Sequence, residues 1–223
     1  MPEEMEAAIF RDQANRFYLT GMRSSAGTVV ITKKYAWLII DFRYLEDAEK
    51  KVKNCSVIEE KALYEQIRAL LVAENISQVS IHSGETSLEE YQVMKDALAP
   101  LAVDGSPKLR KLIESLRAVE EEDEVACHRK AQQITDHVFS HICGFIRPGI
   151  TELDVSREIG VMLTTFGSDD RNFNFIVASG ENSSLPHGFA TNRMIRNGDF
   201  VTMDFGAVYG GYLADMTRTV AVG

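Results

Sequence analysis

Cysteines, basic residues and long apolar runs are all scarce in this chain, and each scarcity removes a class of protein. Three cysteines occur, Cys55, Cys127 and Cys143. They are odd in number and show no CxxC spacing, which argues against a disulfide framework or a zinc ribbon. They read as reduced thiols packed as small apolar groups. Lys and Arg total 24 against 33 Asp and Glu, a formal charge of -9, and affinity for a phosphate backbone needs concentrated positive charge. No nucleic-acid partner is therefore expected, and the small cluster Lys108, Arg110 and Lys111 reads as a solvated face. No run approaches the ~20 apolar residues that span a bilayer. The opening Met1-Pro2-Glu3-Glu4-Met5-Glu6 is acidic and lacks the apolar core of a secretory signal. No membrane association and a cytoplasmic setting are the expectation.

What is present is an ordinary globular composition: 223 residues, 45% hydrophobic and 26% charged, enough for two modest domains. Segments 7–10, 17–19, 28–32 and 37–40 read as strands, and Asp41 opens a helix to about residue 53. In 60–74, Leu63, Ile67, Leu70 and Leu71 share one stripe of an amphipathic helix. A strand at 78–81 and a Ser-capped helix over 87–98 follow, so a mixed α/β domain is expected over 1–106.

A helical connector, 108–116, leads into the remainder, 107–223. Glu120-Glu121-Glu122-Asp123-Glu124 reads as the first turn of a long helix to about residue 146, because acids there interact favourably with the helix dipole. His137 and His141 share a face of that helix but lack the glutamate of a zincin, and read as core-edge residues. Arg147-Pro148-Gly149 breaks the helix, and Thr151 caps the next, 152–166, in a box closed by a glutamate. A strand is expected over 173–178, and Asn182-Ser183-Ser184 forms a formal glycosylation sequon without meaning in a cytoplasmic protein.

The chemistry concentrates at the end. Val201 to Gly206 alternates apolar and polar residues as a half-buried strand does, and projects Asp204 on one face. Residues 212–222 read as the returning strand, with Asp215 on it. Gly210-Gly211 turns the chain within a loop around 207–211, and with the turn placed at Tyr209-Gly210 Asp204 comes opposite Asp215, within ~5 Å across the strands. Two carboxylates so close repel unless a cation lies between them. A divalent ion suits such hard oxygen ligands, and two exposed hairpin charges are the other reading. His187 stands upstream in a rigid Pro/Gly turn, where the backbone positions it to act on a ligand.

SSLPHG, GDFVTMDFGAVYGGY and ADMTRT, in that order and spacing, resemble the pita-bread metallopeptidase family of aminopeptidase P, prolidase, methionine aminopeptidase and creatinase. Asn15 to Gly21, with Ile40-Asp41-Phe42-Arg43-Tyr44, is similar to the N-terminal domain that aminopeptidase P, prolidase and creatinase carry and methionine aminopeptidase lacks. The family form of that domain usually has an extra helix before the first strand, shortened or missing here. The fold class implied is α/β (α+β): a creatinase-type N-terminal domain followed by the first half of a pita-bread catalytic domain.

The resemblance implies that Asp204 and Asp215 are metal ligands, with Asp215 bridging two divalent ions (Mn, Co or Zn). It implies that His187 binds substrate and helps stabilise the transition state, and that Thr217 supports the bridging aspartate. The reaction implied is metal-dependent hydrolysis of Xaa-Pro peptides, with a homodimer as the usual assembly. The family uses three further ligands, a histidine and two glutamates, and residue 223 precedes any of them. These residues alone are thus expected to bind metal weakly or not at all and to have negligible peptidase activity. The alternatives are a pita-bread-fold protein-binding module without catalysis and a creatinase-like amidinohydrolase.

Overall fold

The structure is a computed structural model, and it describes residues 2–169 and 175–223. The chain divides into two compact units, Met1–Val119 and Glu120–Gly223.

The first unit is built on six strands, β1 (Ala7–Phe10), β2 (Thr28–Thr32), β3 (Ala36–Ile40), β4 (Ser56–Glu59), β5 (Gln78–Ile81) and β6 (Ala102–Asp104), in the order β4-β3-β2-β1-β5-β6. β2 runs antiparallel to both its neighbours, while β1 with β5, β5 with β6 and β3 with β4 are parallel. Helices cover both faces, because β1, β2 and β3 are apolar on both sides. Ala48 of α2 (Phe42–Lys51) and Leu109 and Ile113 of α5 (Lys108–Arg117) pack in one core with Phe10, Val29 and Leu38. Ile67 and Leu71 of α3 (Leu63–Ala73) and Met94 of α4 (Leu88–Ala97) pack in the other with Ile9, Val30 and Ile39.

Several local expectations are corrected. Residues 17–19 lie in α1 (Gln13–Thr20), not in a strand: the Asp12 side chain accepts from Asn15 N at 2.8 Å and Gly21 closes the helix at φ 70°. Caps at both ends outweigh the strand preference of Phe17 and Tyr18. The edge strands β4 and β6, of four and three residues, were too short to show a period. Helix α3 begins at Leu63 rather than 60, because Gln66 Oε1 accepts from Lys61 N and Ala62 N and holds the preceding turn. Helix α5 packs in the first unit, which extends that unit past residue 106 to 119.

In the second unit, α6 (Glu122–Phe145) and α7 (Glu152–Thr165) back a three-stranded antiparallel sheet, β11 (Met216–Ala221), β8 (Phe200–Phe205) and β7 (Ile176–Ser179). Ile134, Val138, Ile142, Ile159 and Leu163 of the helices meet Val201, Met203 and Phe205 of β8 in one core. The acid run before α6 is consumed locally. Glu121 and Glu124 form a capping box, and Glu124 also accepts from the Tyr212 hydroxyl at 2.7 Å. His141 Nε2 lies 2.7 Å from Glu158 Oε1 on α7, and the His137 ring packs near Phe166.

The box that starts α7 is closed by Asp154, whose carboxylate takes Thr151 N at 2.9 Å, and not by a glutamate. Glu152 is fully buried instead. Of the strand expected over 173–178, residues 173 and 174 lie outside the described residues. The three thiols are free, and Cys143 is exposed rather than packed.

Candidate metal centre

Strand β8 alternates as its sequence implies: Val201, Met203 and Phe205 are buried, and Thr202 and Asp204 are half-buried on the opposite face. Asp204 thus sits on the central strand of its sheet, between Ile176 on β7 and Thr217 on β11. Thr217 Oγ1 donates to Asp204 Oδ1 at 2.9 Å, and Thr202 and Thr219, two positions along, pair at 3.0 Å. Aspartate is depleted from strands, and here it shares one face of the β8–β11 pair with Thr202, Thr217 and Thr219.

The strand returns through β9 (Val208–Tyr209) and β10 (Tyr212–Leu213), paired as Tyr212 with Tyr209 and Leu213 with Val208. The turn is therefore Gly210-Gly211, with φ of 58° and 95°, the positive values that a tight two-residue hairpin loop requires. A turn at Tyr209-Gly210 would have left Tyr209 to adopt one of them. Moving the turn by one residue shifts the register by two, which keeps every side chain on its face.

Asp204 consequently opposes Thr217 and not Asp215. Asp215 is two residues before Thr217, a diagonal neighbour of Asp204, and diagonal cross-strand sites lie ~7–8 Å apart by Cα. Asp215 itself lies just before β11; Ala214 and Met216 on either side of it are buried, while Asp215 and Thr217 are exposed. Thr217 was expected to support Asp215, whereas its hydroxyl is bonded to Asp204.

Gly206 makes this geometry possible. A Cβ there would overlap the Ala214 carbonyl oxygen and lie 2.6 Å from its carbon and 3.2 Å from Asp215 N. Beside it, Ala207 N donates to the buried Thr135 hydroxyl of α6 at 3.0 Å, and Ala207 O accepts from Ala214 N at 2.9 Å.

His187 is exposed on the loop between β7 and β8. Phe189, two residues on, bridges to Ile176, the β7 residue paired with Asp204. Thr217, Asp204, Ile176 and Phe189 thus form one line across the sheet, and the His187 turn stands at its end.

The loop is tied down by residues that sequence reasoning missed. One oxygen of Glu152 accepts from Ser179 N at 2.7 Å, Ser179 Oγ at 2.8 Å and Asn182 Nδ2 at 3.1 Å. The other accepts from Thr191 N at 2.9 Å and Thr191 Oγ1 at 2.6 Å, with Asn182 Nδ2 at 3.3 Å. The Asn182 amide of the formal sequon is thereby engaged inside the protein. Beside it Arg193 donates to Ser179 Oγ at 2.7 Å and pairs with Asp199 at 2.7 Å. The one signal available was that Asp154 already closes the capping box, which leaves Glu152 free to face inward.

Burial pushes the Glu152 carboxyl up, but the side-chain and backbone donors of Thr191 and Ser179 outweigh it and hold the group below the ordinary glutamate range. Arg193, with Arg196 N, likewise lowers Asp199. A folded-state carboxyl that is the stronger acid contributes stability in full above its unfolded pKa of ~4.3 and loses it as pH falls through the folded value. The second unit is expected to lose stability with acidification below ~4, and Glu152→Gln to flatten that slope. Urea unfolding followed between pH 3 and 7 measures both, and an unchanged slope in the variant would contradict the assignment.

The donors present suit a hard divalent ion: Asp204 and Asp215 supply carboxylate oxygens on one face, and Thr217 orients one of them. They are a partial set, since among the described residues no three His, Cys, Asp or Glu side chains gather to hold a metal.

The chain belongs to the Creatinase/Prolidase N-terminal domain family, which it matches over residues 2–119, and it matches metallopeptidase family M24 over residues 126–223. An uncharacterized peptidase of Bacillus subtilis is 37% identical over 98% of this chain and 62% of its own length. The structure of an Xaa-Pro dipeptidase from Bacillus anthracis superposes with a TM-score of 0.91 at 34% identity, over 98% of this chain and 61% of that one. An X-Pro aminopeptidase from Thermotoga maritima gives 0.90 at 26%, over 98% and 63%. The chain therefore spans about three-fifths of the length of these relatives. Family M24, matched over residues 126–223, is one of metallopeptidases, and a match to it implies divalent metal ions. Among the described residues, no helix is long and apolar enough to cross a membrane.

Proposed function

We propose that these residues carry the substrate-facing turn and the first two metal ligands of a peptidase that hydrolyses the Xaa-Pro bond. Asp204 and Asp215 would hold divalent ions, manganese being the ion we favour. Thr217 fixes the Asp204 carboxylate. His187 meets the substrate and helps stabilise the developing charge. The ions when bound activate a water and polarise the scissile carbonyl. The protein works in the cytoplasm as a homodimer.

The observation that carries this reading is the Asp204–Thr217 pair near the end of β8, with Asp215 two residues before Thr217. Aspartate is disfavoured in a strand, and this one is oriented by a hydroxyl rather than neutralised by a cation. The names of the solved relatives, Xaa-Pro dipeptidase and X-Pro aminopeptidase, support the substrate class. The aspartates also favour an enzyme over a binding module, for which they would be dispensable.

The test is Mn(II)-dependent hydrolysis of a short Xaa-Pro peptide, read for residues 1–223 alone and for the same residues completed to the length of their relatives. Turnover in the completed protein only is the expected outcome. Turnover of creatine in place of the peptide, or of neither, would overturn the substrate assignment.

A further inference from the structure

The buried Glu152 has no place in the reaction just described, yet it collects donors from both ends of one loop. Its two oxygens divide the work: Oε1 holds Ser179, where the loop leaves β7, and Oε2 holds Thr191, where the loop comes back. Asn182 bridges the two oxygens at 3.1 and 3.3 Å. The backbone adds a second layer, with Glu152 N donating to Arg193 O and Leu153 N to Thr191 O, each at 3.1 Å. Everything between these clamped ends, residues 180–190, is mostly exposed and includes the His187 turn.

We propose that Glu152 is the positioning residue of the His187 loop: its carboxylate, fixed at the start of α7, pins residues 179 and 191 and so sets where the His187 imidazole is presented. An anion is the right group for this task. Five donors converge on it, two backbone amides among them, and a carboxylate offers about four acceptor sites with no donor to misplace. A glutamine in its place presents an NH₂ to Ser179 or Thr191 and leaves donors facing a donor.

The second clamp explains why the loop begins with glycine. Gly180 has φ of 51°, and a Cβ on it would strike the Arg193 guanidinium and lie 2.7 Å from Asp199 Oδ1. The Arg193 guanidinium reaches from Asp199 to Ser179 Oγ, the same hydroxyl that donates to Glu152. Glu152, Ser179, Arg193 and Asp199 therefore form one connected set, and the carboxylate at its centre belongs to a helix rather than to the loop it holds.

That the imidazole acts on a substrate rests on the function proposed above, whereas the positioning itself is testable without turnover. The probe is the 223-residue chain, with backbone amide exchange over 176–195 and the NMR signals of the His187 ring as readouts. Glu152→Gln is expected to speed exchange at Ser179 and Thr191 by roughly tenfold to a hundredfold, the range for losing a charged acceptor, and to shift and broaden the His187 ring signals. Thr191→Val, which removes one donor and spares the carboxylate, is expected to give the same pattern more weakly. Glu152→Asp is expected to recover the ring signals in part. Unchanged His187 signals in a folded Glu152→Gln chain would overturn the proposal. So would an exchange increase spread evenly over α6, α7 and β8, which marks a general loss of stability; if Glu152→Gln does not fold, Thr191→Val decides by the same criteria. A chain that shows the expected pattern but, once completed, hydrolyses no Xaa-Pro peptide would refute the function and leave the positioning standing.

Discussion

Gly206→Ala is expected to destabilise the second unit by about 3 kcal/mol or more, the upper range for forcing atoms into a filled site. A Cβ at 206 would coincide with the Ala214 carbonyl oxygen and crowd Asp215 N at 3.2 Å. The backbone cannot yield cheaply, because Ala207 N is bonded to Thr135 and Ala207 O to Ala214 N. For a unit of this size the loss corresponds to a fall in Tm on the order of 10–20 °C. The natural control is Gly144→Ala on α6, where a Cβ meets nothing within 4 Å, and where alanine is favoured by ~0.5–1 kcal/mol. Thermal unfolding of both variants checks the pair. A loss below ~1 kcal/mol at 206 would mean that the two strands approach less closely than described, and that the relative placement of Asp204 and Asp215 is different.

The second large effect concerns chemistry. In the protein completed to the length of its relatives, Asp204→Asn is expected to lower kcat/KM for an Xaa-Pro peptide by on the order of 10³-fold or more, because a ligand to the proposed metal pair contributes several kcal/mol of transition-state stabilisation and each 1.36 kcal/mol is a factor of ten. Thr217→Val removes only the hydroxyl that orients Asp204, and second-layer partners of this kind are worth ~10–100-fold. The ordering of the two variants is as informative as either value. A Thr217→Val effect equal to that of Asp204→Asn would make the hydroxyl itself a ligand. An Asp204→Asn effect below tenfold would remove Asp204 from the centre.

How far the sequence foretold this structure depends on which interactions decide each element. The face that carries Asp204 was legible, because alternation over Val201 to Phe205 admits one assignment. The register was not, since two adjacent turn positions preserve the same faces. Only the backbone demand for two positive φ values selects Gly210-Gly211. The helix at 13–20 was hidden for a related reason: its side chains favour strand, and the Asp12 cap and Gly21 decide against them.

Glu152 was the largest omission. Its partners lie 27 to 39 residues away, and nothing local distinguishes a capping glutamate from one that turns inward. The motif residues, by contrast, stood out early because a charge in a strand and a histidine between proline and glycine are poor choices for packing alone.

If Asp204 and Asp215 form one half of a metal centre, Mn(II) paramagnetic broadening of the 223-residue chain will show it. With rising Mn(II) the Asp204, Asp215 and Thr217 signals are expected to be lost before those of any other acidic cluster, at an affinity that two carboxylates permit, with no such loss in Asp204→Asn. Broadening that begins elsewhere, for example at the acid run Glu120 to Glu124, or that persists unchanged in Asp204→Asn, would contradict it.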